Sequence, residues 1–160
     1  MDLLIKQLTK NNIRFKEFSY YAPYFRKRWE EAFVHHLSKQ EKEKIFLYGD
    51  RYFCGYLWHI FSNDKRPYIM QNAANEAFDA QKKAKCYVFH QRLPEVLVIE
   101  QATNLKSLHL EHSEDLFIVD EDFTWTYVVT HESEFGPYFS KTKELPALVA
   151  VTKHFRDVLR

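Results

Sequence analysis

Glycine is scarce in this sequence of 160 residues, which contains only Gly49, Gly55 and Gly136. Loops that cradle phosphate groups need several glycines close together, because the backbone must approach the phosphate oxygens with no Cβ atom in the way. The three glycines lie too far apart to form such a loop. The sequence therefore excludes the Walker loop and the glycine-rich fingerprint of dinucleotide-binding proteins.

Cysteine and long apolar runs are scarce as well. Cys54 and Cys86 are the two cysteines, and a domain of this length does not need the single disulfide that they could form. We therefore expect two reduced thiols and a cytoplasmic protein. The longest apolar runs, near Leu97 and Val128, fall far short of the roughly 18 residues of a membrane span. Residues 1–10 lack the pattern of a signal peptide.

Aromatic residues are abundant, with 14 Phe, 10 Tyr and 3 Trp. The hydrophobic content of 46% and the charged content of 28% are those of a folded globular protein rather than of a disordered chain. The sequence shows no internal repeat and no linker rich in proline, glycine or serine. We therefore predict one domain over residues 1–160.

Besides a short one at 104–109, four segments have the pattern of a helix. Asp2 can cap a short helix over residues 3–10, and Pro23 suits the first turn of a second helix, which should run to about Lys39. The apolar stripe of this second helix consists of Phe25, Trp29, Phe33 and Leu37. A third helix is expected over residues 71–83. A fourth should follow Pro146, with an apolar stripe of Leu148, Val151, Phe155 and Leu159.

The middle of the chain has the pattern of β-strands. Apolar, aromatic and β-branched residues predict about five strands, at 52–61, 85–90, 95–100, 115–119 and 123–131. Short turns join several of these strands, so neighbouring strands should pair antiparallel, and Gly136-Pro137 should end the sheet. A mostly antiparallel sheet with helices at both ends of the chain defines an α+β fold.

The clearest hairpin joins residues 115–119 to 123–131 through an acidic turn. Along its second strand Phe123, Trp125, Tyr127 and Val129 occupy alternate positions. Because successive side chains of a strand point to opposite faces, these four should form one aromatic face. We predict that this face lies against the core.

The eight histidines of the chain suggest an enzymatic alternative. There is no HExxH motif and no Cys/His cluster at zinc spacing, so neither a metal site nor a cofactor is predicted. His59, His90 and His131 lie in or at the end of predicted strands, however, and a sheet could bring them together with Glu132. A hydrolase or metal-dependent enzyme built on these four residues is the alternative function. Convergence of the three histidines would favour it, and their dispersal would favour binding.

Charge is balanced overall, at +1, but it is unevenly distributed. Residues 95–135 contain ten acidic residues and one basic residue, for a net charge of 1 − 10 = −9. Such a segment can attract a basic partner protein, or it can be a solvated face with the opposite charge nearby. Nucleic-acid binding through Arg26, Lys27 and Arg28 is a weaker prediction, because a pI near 7.8 is not strongly basic.

The number of aromatic residues exceeds what a core of this size requires, so some of them should be exposed. Exposed Tyr and Trp are good anchors for a protein partner. The candidates for exposure are Tyr20, Tyr21, Tyr24, Trp58, Tyr68, Tyr138 and Phe139. Together with the acidic turn they yield the predicted binding residues, namely Trp58, Asp120, Asp122, Tyr138 and Phe139.

Three segments of the sequence resemble a known family. They are LWHIFS at 57–62, CYVFHQ at 86–91 and DLFIVDEDFTWTYVVTHESEFGPYF at 115–139. The chain resembles, over roughly residues 45–140, a family of small bacterial proteins known only as a domain of unknown function. The resemblance rests chiefly on WHIFS and FTWTYVVTHE…GPYF and implies a single cytoplasmic domain. It brings no activity, cofactor or catalytic residue with it.

Taken together, these features predict a non-catalytic cytosolic domain that binds another protein, in a regulatory or immunity-type role. The acidic segment 95–135 and the surplus of aromatic residues are the features that favour it. We expect no membrane association.

Overall fold

The computed structural model describes residues 1–49 and 55–143. The helices are α1 (Asp2–Lys10), α2 (Ala22–Phe33), α3 (Lys39–Lys44), α4 (His59–Ser62) and α5 (Gln71–Ala80). The strands are β1 (Lys16–Phe18), β2 (Ile69–Met70), β3 (Cys86–His90), β4 (Val96–Ile99), β5 (Leu116–Asp120), β6 (Trp125–Val129) and β7 (Tyr138–Lys141). Two short 3₁₀ helices, Ala102–Asn104 and Ser107–His109, lie between β4 and β5.

The strands form one seven-stranded sheet in the order β1-β4-β3-β5-β6-β7-β2. Every neighbouring pair is antiparallel. The predicted α+β class is therefore confirmed, although the sheet has seven strands rather than five. The three strands that the prediction lacked are β1, β2 and β7, which have only two to four residues each. Such short segments carry too little periodicity to predict a strand.

Helices cover both faces of the sheet. The α5-side core combines α1 and α5 with strand residues such as Leu97 and Trp125. The α2-side core combines α2 and α4 with strand residues such as Val96 and Phe117. Because both faces are covered, β4, β5 and β6 are buried almost throughout, which explains their continuous apolar runs.

Two predicted elements are wrong in the region before α5. The segment 52–61 is not a strand where the structure describes it: residues 55–58 form loop and turn, and α4 begins at His59. A short apolar run cannot distinguish a buried strand from a buried helix, because both are apolar on all sides. The second helix ends at Phe33 rather than near Lys39, because Ser38 caps a new helix, α3, through a capping box with Glu41.

The predicted hairpin is confirmed as β5 and β6, with Ile118 opposite Tyr127. Trp125, Tyr127 and Val129 lie in the α5-side core, as expected, but Phe123 does not. It adopts a positive φ of 56° in the turn and packs in the α2-side core, because the alternation of a strand does not extend into its turn. The opposite face of β6 is buried as well, since Trp29 Nε1 donates a hydrogen bond of 2.9 Å to Thr126 Oγ1.

The sheet does not end at Gly136-Pro137, which the structure shows as a cis peptide bond. The chain continues from there into β7, which pairs with both β6 and β2. Pro137 itself has no N–H group to offer a neighbouring strand, but the strand begins only after it. The fourth predicted helix, at 146–159, lies outside the described residues.

Candidate functional site

The first candidate site is a histidine–carboxylate pair at one end of the hairpin. Asp115 immediately precedes β5, and His131 follows β6 by two residues, so the hairpin places them side by side. The Nδ1 atom of His131 lies 2.9 Å from Asp115 Oδ1. The Asp115 carboxylate is buried and also accepts a hydrogen bond of 3.1 Å from Trp58 Nε1. His131 is partly exposed.

This pair has the geometry by which a carboxylate orients an imidazole for proton transfer. The outward Nε2 atom of His131 lies 3.6 Å from Glu132 Oε1. No serine, threonine or cysteine side chain of the described residues is hydrogen-bonded to that imidazole. The hydrogen bonds from Trp58 and His131 to Asp115 also hold the loop before α4 against the end of the sheet, so Asp115 has a structural role as well.

The three candidate histidines converge only in part. His59 and His131 both pack against the rings of Tyr56 and Trp58, with ring centroids 4.6 to 5.8 Å apart. His59 Nδ1 donates to the Phe46 carbonyl oxygen at 2.9 Å.

His90 is held differently, at the last position of β3. Its Nδ1 atom accepts hydrogen bonds from the backbone amides of Arg92 and Leu93, at 2.9 and 3.3 Å. Burial lowers the pKa of the His90 imidazole. Residues 1–49 and 55–143 contain no group of three or more His, Cys, Asp or Glu side chains that could hold a metal ion.

The structure buries the three aromatic residues that were expected as surface anchors. Trp58, Tyr138 and Phe139 are all core residues, and Tyr68 is buried too. Tyr138 packs on Phe61 in the α2-side core, whereas Phe139 faces the other way. Their expected exposure is wrong because β7 lies between two other strands and is covered on both faces, a context that the local sequence does not reveal.

The acidic segment 95–135 does not form one surface. Asp120, Glu121 and Asp122 lie at one end of the hairpin, whereas Glu114 and Glu132 lie at the other. The Asp120 carboxylate accepts hydrogen bonds from the backbone amides of Thr124 and Trp125 and so closes the turn, and Asp122 is exposed within it. Glu100 and Glu121 are ion-paired with lysines.

A group of exposed aromatic residues lies elsewhere, around the edge strand β1. We define the aromatic patch as Phe18, Tyr20, Tyr21 and Tyr24, whose exposed fractions range from 43% for Phe18 to 84% for Tyr20. The rings of Phe18 and Tyr21 meet edge to face, with their centroids 6.2 Å apart. The three tyrosines were candidates from the sequence, but Phe18 was not, because a three-residue strand gives no periodic signal.

Arg28 extends this patch along α2. Its Nη1 atom donates to Tyr24 Oη at 3.3 Å, and its guanidinium lies 4.8 Å from the centroid of the Phe123 ring. Arginine over aromatic rings gains a cation–π attraction while its other N–H groups stay available to a partner. Lys27 beside it is exposed.

An acidic groove lies on the other face of β1. It has a volume of about 580 Å³ and runs between the first half of α1 and the ends of β3 and β5. Its carboxylates come from Asp2, Glu17, Glu95 and Glu114, and its apolar walls include Leu3, Leu4, Leu93 and Leu116. Among the described residues, none of these four carboxylates forms an ion pair.

These features define an α+β domain with exposed aromatic and acidic surfaces at one edge of its sheet. None of the helices in the described ranges has both the length and the apolar character needed to cross a membrane. The chain belongs to the family described as Domain of unknown function (DUF4275), whose family model matches residues 1–139. No curated protein and no solved structure matches the chain.

Proposed function

We propose that this chain is a non-catalytic domain that binds another protein through the aromatic patch. The proposal rests on one observation. Of the eight large hydrophobic side chains exposed in the described residues, four lie within residues 18–24, and the rings of two of them, Phe18 and Tyr21, are in contact. Scattered exposed apolar residues are normal, but a local concentration of them is typical of an interaction site.

The composition of the patch suits a protein interface. Tyrosine and arginine are the residues that most often dominate binding energy, because they bury a large area and donate directed hydrogen bonds. Tyr20, Tyr21 and Tyr24 supply the area, and Arg28 supplies the donors. The Tyr24 ring is held in place by its hydrogen bond to Arg28, which reduces the entropy lost on binding.

A regulatory or immunity-type role in the cytoplasm is part of this proposal. A domain of this kind would act by occupying a surface of its partner. Cys86 is a free thiol in the core, and burial raises its pKa to about 12, as suits an inert structural cysteine in a reducing compartment.

The proposal is tested by affinity capture with matched variants. The Tyr21→Ser/Tyr24→Ser chain should lose a partner that the wild-type chain captures from a lysate of its source cells and binds again after that partner is purified. A Phe46→Ser/Leu108→Ser chain removes two similarly exposed hydrophobic side chains elsewhere and should keep it. Thermal unfolding of all three chains shows that each is folded. Equal capture by all three would contradict the proposal.

A hydrolase is the second candidate, and the Asp115–His131 pair is the observation in its favour. If His131 acts as a base, the chain should hydrolyse activated esters such as p-nitrophenyl acetate faster than its His131→Asn variant does. His112 is exposed, and the His112→Asn chain is the control for unspecific catalysis by surface imidazoles. Equal rates in the three chains would rule out this function.

A further inference from the structure

We propose that the free edge of β1 binds an extended segment of the partner as an added strand, with a basic side chain beside Glu17 and an apolar side chain beside Phe18. This inference rests on the proposed protein-binding function and specifies the chemistry of the partner. Addition of a strand to a sheet edge is a common mode of peptide recognition, in which the backbone supplies affinity and alternate side chains supply specificity.

Within residues 1–49 and 55–143 the edge itself is open. Among the strands of these residues, β1 is the terminal one of the sheet and pairs only with β4. All three of its residues, Lys16, Glu17 and Phe18, are exposed. No backbone hydrogen bond reaches its outer edge from the rest of the described chain. In an antiparallel pair the backbone groups of successive residues point alternately towards and away from the neighbour, so β1 presents unpaired groups outwards.

The two faces of this edge differ in chemistry. Phe18 is opposite Val96, which belongs to the α2-side core, whereas Glu17 is opposite Leu97, which belongs to the α5-side core. Directly opposed residues lie on the same face of a sheet. Phe18 therefore faces the same way as α2 and meets Tyr21, and Glu17 faces the acidic groove on the other side.

The charges of the groove select a basic partner. Glu17, Asp2, Glu95 and Glu114 line it, together with the α-amino group of Met1. His90 also lines the groove, but burial lowers the pKa of its imidazole, so it stays neutral at neutral pH and does not offset the carboxylates. The one lysine of β1, Lys16, is already paired with Glu100 at 3.1 Å. A strand with alternating basic and apolar side chains matches both faces at once.

A peptide assay tests this pattern directly. The probe is a labelled heptapeptide of alternating lysine and valine, titrated with the full chain and followed by fluorescence anisotropy. The matched peptides are one with glutamate for each lysine and one with the lysines and valines in separate blocks. The alternating lysine peptide should bind at least about tenfold more tightly than either. Equal binding of the blocked peptide would overturn the inference, because charge alone would then explain the affinity.

Charge reversal in the protein gives the complementary test. Glu17→Lys should weaken the alternating lysine peptide about tenfold and strengthen the glutamate peptide. Glu134→Lys makes the same charge change at an exposed loop position after β6 and should alter neither. Hydrogen exchange should show slower amide exchange within residues 16–18 when the peptide is bound, and no change at residues 69–70 of the other edge. If the bound peptide does not slow amide exchange within residues 16–18, strand addition is overturned.

The outcomes separate this inference from the function on which it rests. If the Tyr21→Ser/Tyr24→Ser chain captures every partner of the wild type, the proposed function fails. Capture can depend on the aromatic patch while Glu17→Lys leaves peptide affinity unchanged and the three peptides bind equally. In that case only the added strand is overturned, and the proposed function stands. Tighter binding of a single-stranded thymidine oligonucleotide than of any peptide would contradict both, since Lys27 and Arg28 would then serve a phosphate backbone.

Discussion

The two edge strands of the sheet are built in opposite ways. β2 has only Ile69 and Met70, and the chain turns directly into α5 behind it. Arg66 anchors the approach to this edge, because its guanidinium donates to the carbonyl oxygens of Phe33 and Lys141 and to Ser140 Oγ, at 2.8 to 3.3 Å. β1 has no such anchor in the described chain, and its residues are exposed on both faces.

The difference between the edges indicates where the chain can accept a partner. An edge strand is a liability, because its free backbone groups invite pairing with any other chain. β2 avoids such pairing because it has only two residues, because Ile69 is buried and because α5 follows it directly. At β1 it is limited by the short strand and by Lys16 and Glu17, but aromatic side chains remain exposed beside it. Stability should therefore be concentrated at the β2 side and binding at the β1 side.

The largest effect is expected between the two edges, in the centre of the sheet. Trp125 is buried against Phe78 and Phe139, with ring centroids 5.8 and 5.9 Å away. Trp125→Ala should lower the free energy of unfolding by about 3–5 kcal/mol, because it leaves a large cavity. Urea unfolding measures the loss. A nearly silent substitution would show that the aromatic face of β6 is not in the core.

The next largest effect is expected at the β2 edge. Arg66→Ala should lower the free energy of unfolding by about 2–3 kcal/mol, because two carbonyl oxygens and the Ser140 hydroxyl lose a charged donor in a partly buried site. The matched control is Arg28→Ala at the β1 side, where the arginine is exposed and should cost less than about 0.5 kcal/mol. Equal losses in urea unfolding would remove the distinction between the edges.

A smaller loss is expected on the α2 side of the sheet. The Thr126 hydroxyl accepts a hydrogen bond from Trp29 Nε1 and donates to the Ile118 carbonyl oxygen at 3.2 Å. Thr126→Val keeps the shape but leaves the indole N–H unpaired, so it should cost about 1–2 kcal/mol in thermal or urea unfolding. The control is Thr9→Val, because the Thr9 side chain is exposed and its hydroxyl donates only to the Ile5 carbonyl oxygen of the same helix.

The smallest effect on stability is expected at the aromatic patch. Phe18→Ser combined with Tyr20→Ser should change the free energy of unfolding by less than about 0.5 kcal/mol, because both side chains are exposed. The same variant should lose the bound partner in the capture assay. A large loss of stability with partner binding intact would mean that the β1 side serves stability and not binding.

Local patterns were sufficient for the elements in which periodicity or turn chemistry dominates. The stripe of Trp29 and Phe33 indicated α2, and the β5–β6 hairpin followed from two apolar strands around an acidic turn. The segment 52–61 was mistaken for a strand because burial on all sides removes the periodic signal that separates strand from helix. At the site, Tyr20, Tyr21 and Tyr24 could be named as candidates, but no sequence rule separated them from Tyr138 and Phe139.

The fold class, the central antiparallel strands and the lack of a glycine-rich phosphate loop could be read from the sequence, since these depend on composition and on neighbours along the chain. The folded chain was needed to show which aromatic residues are exposed, that Asp115 meets His131, and that β1 is an edge strand beside an acidic groove in the described residues. These features depend on contacts between residues far apart in the chain. Residue type alone does not specify such contacts, because a tyrosine is equally suited to a core and to an interface.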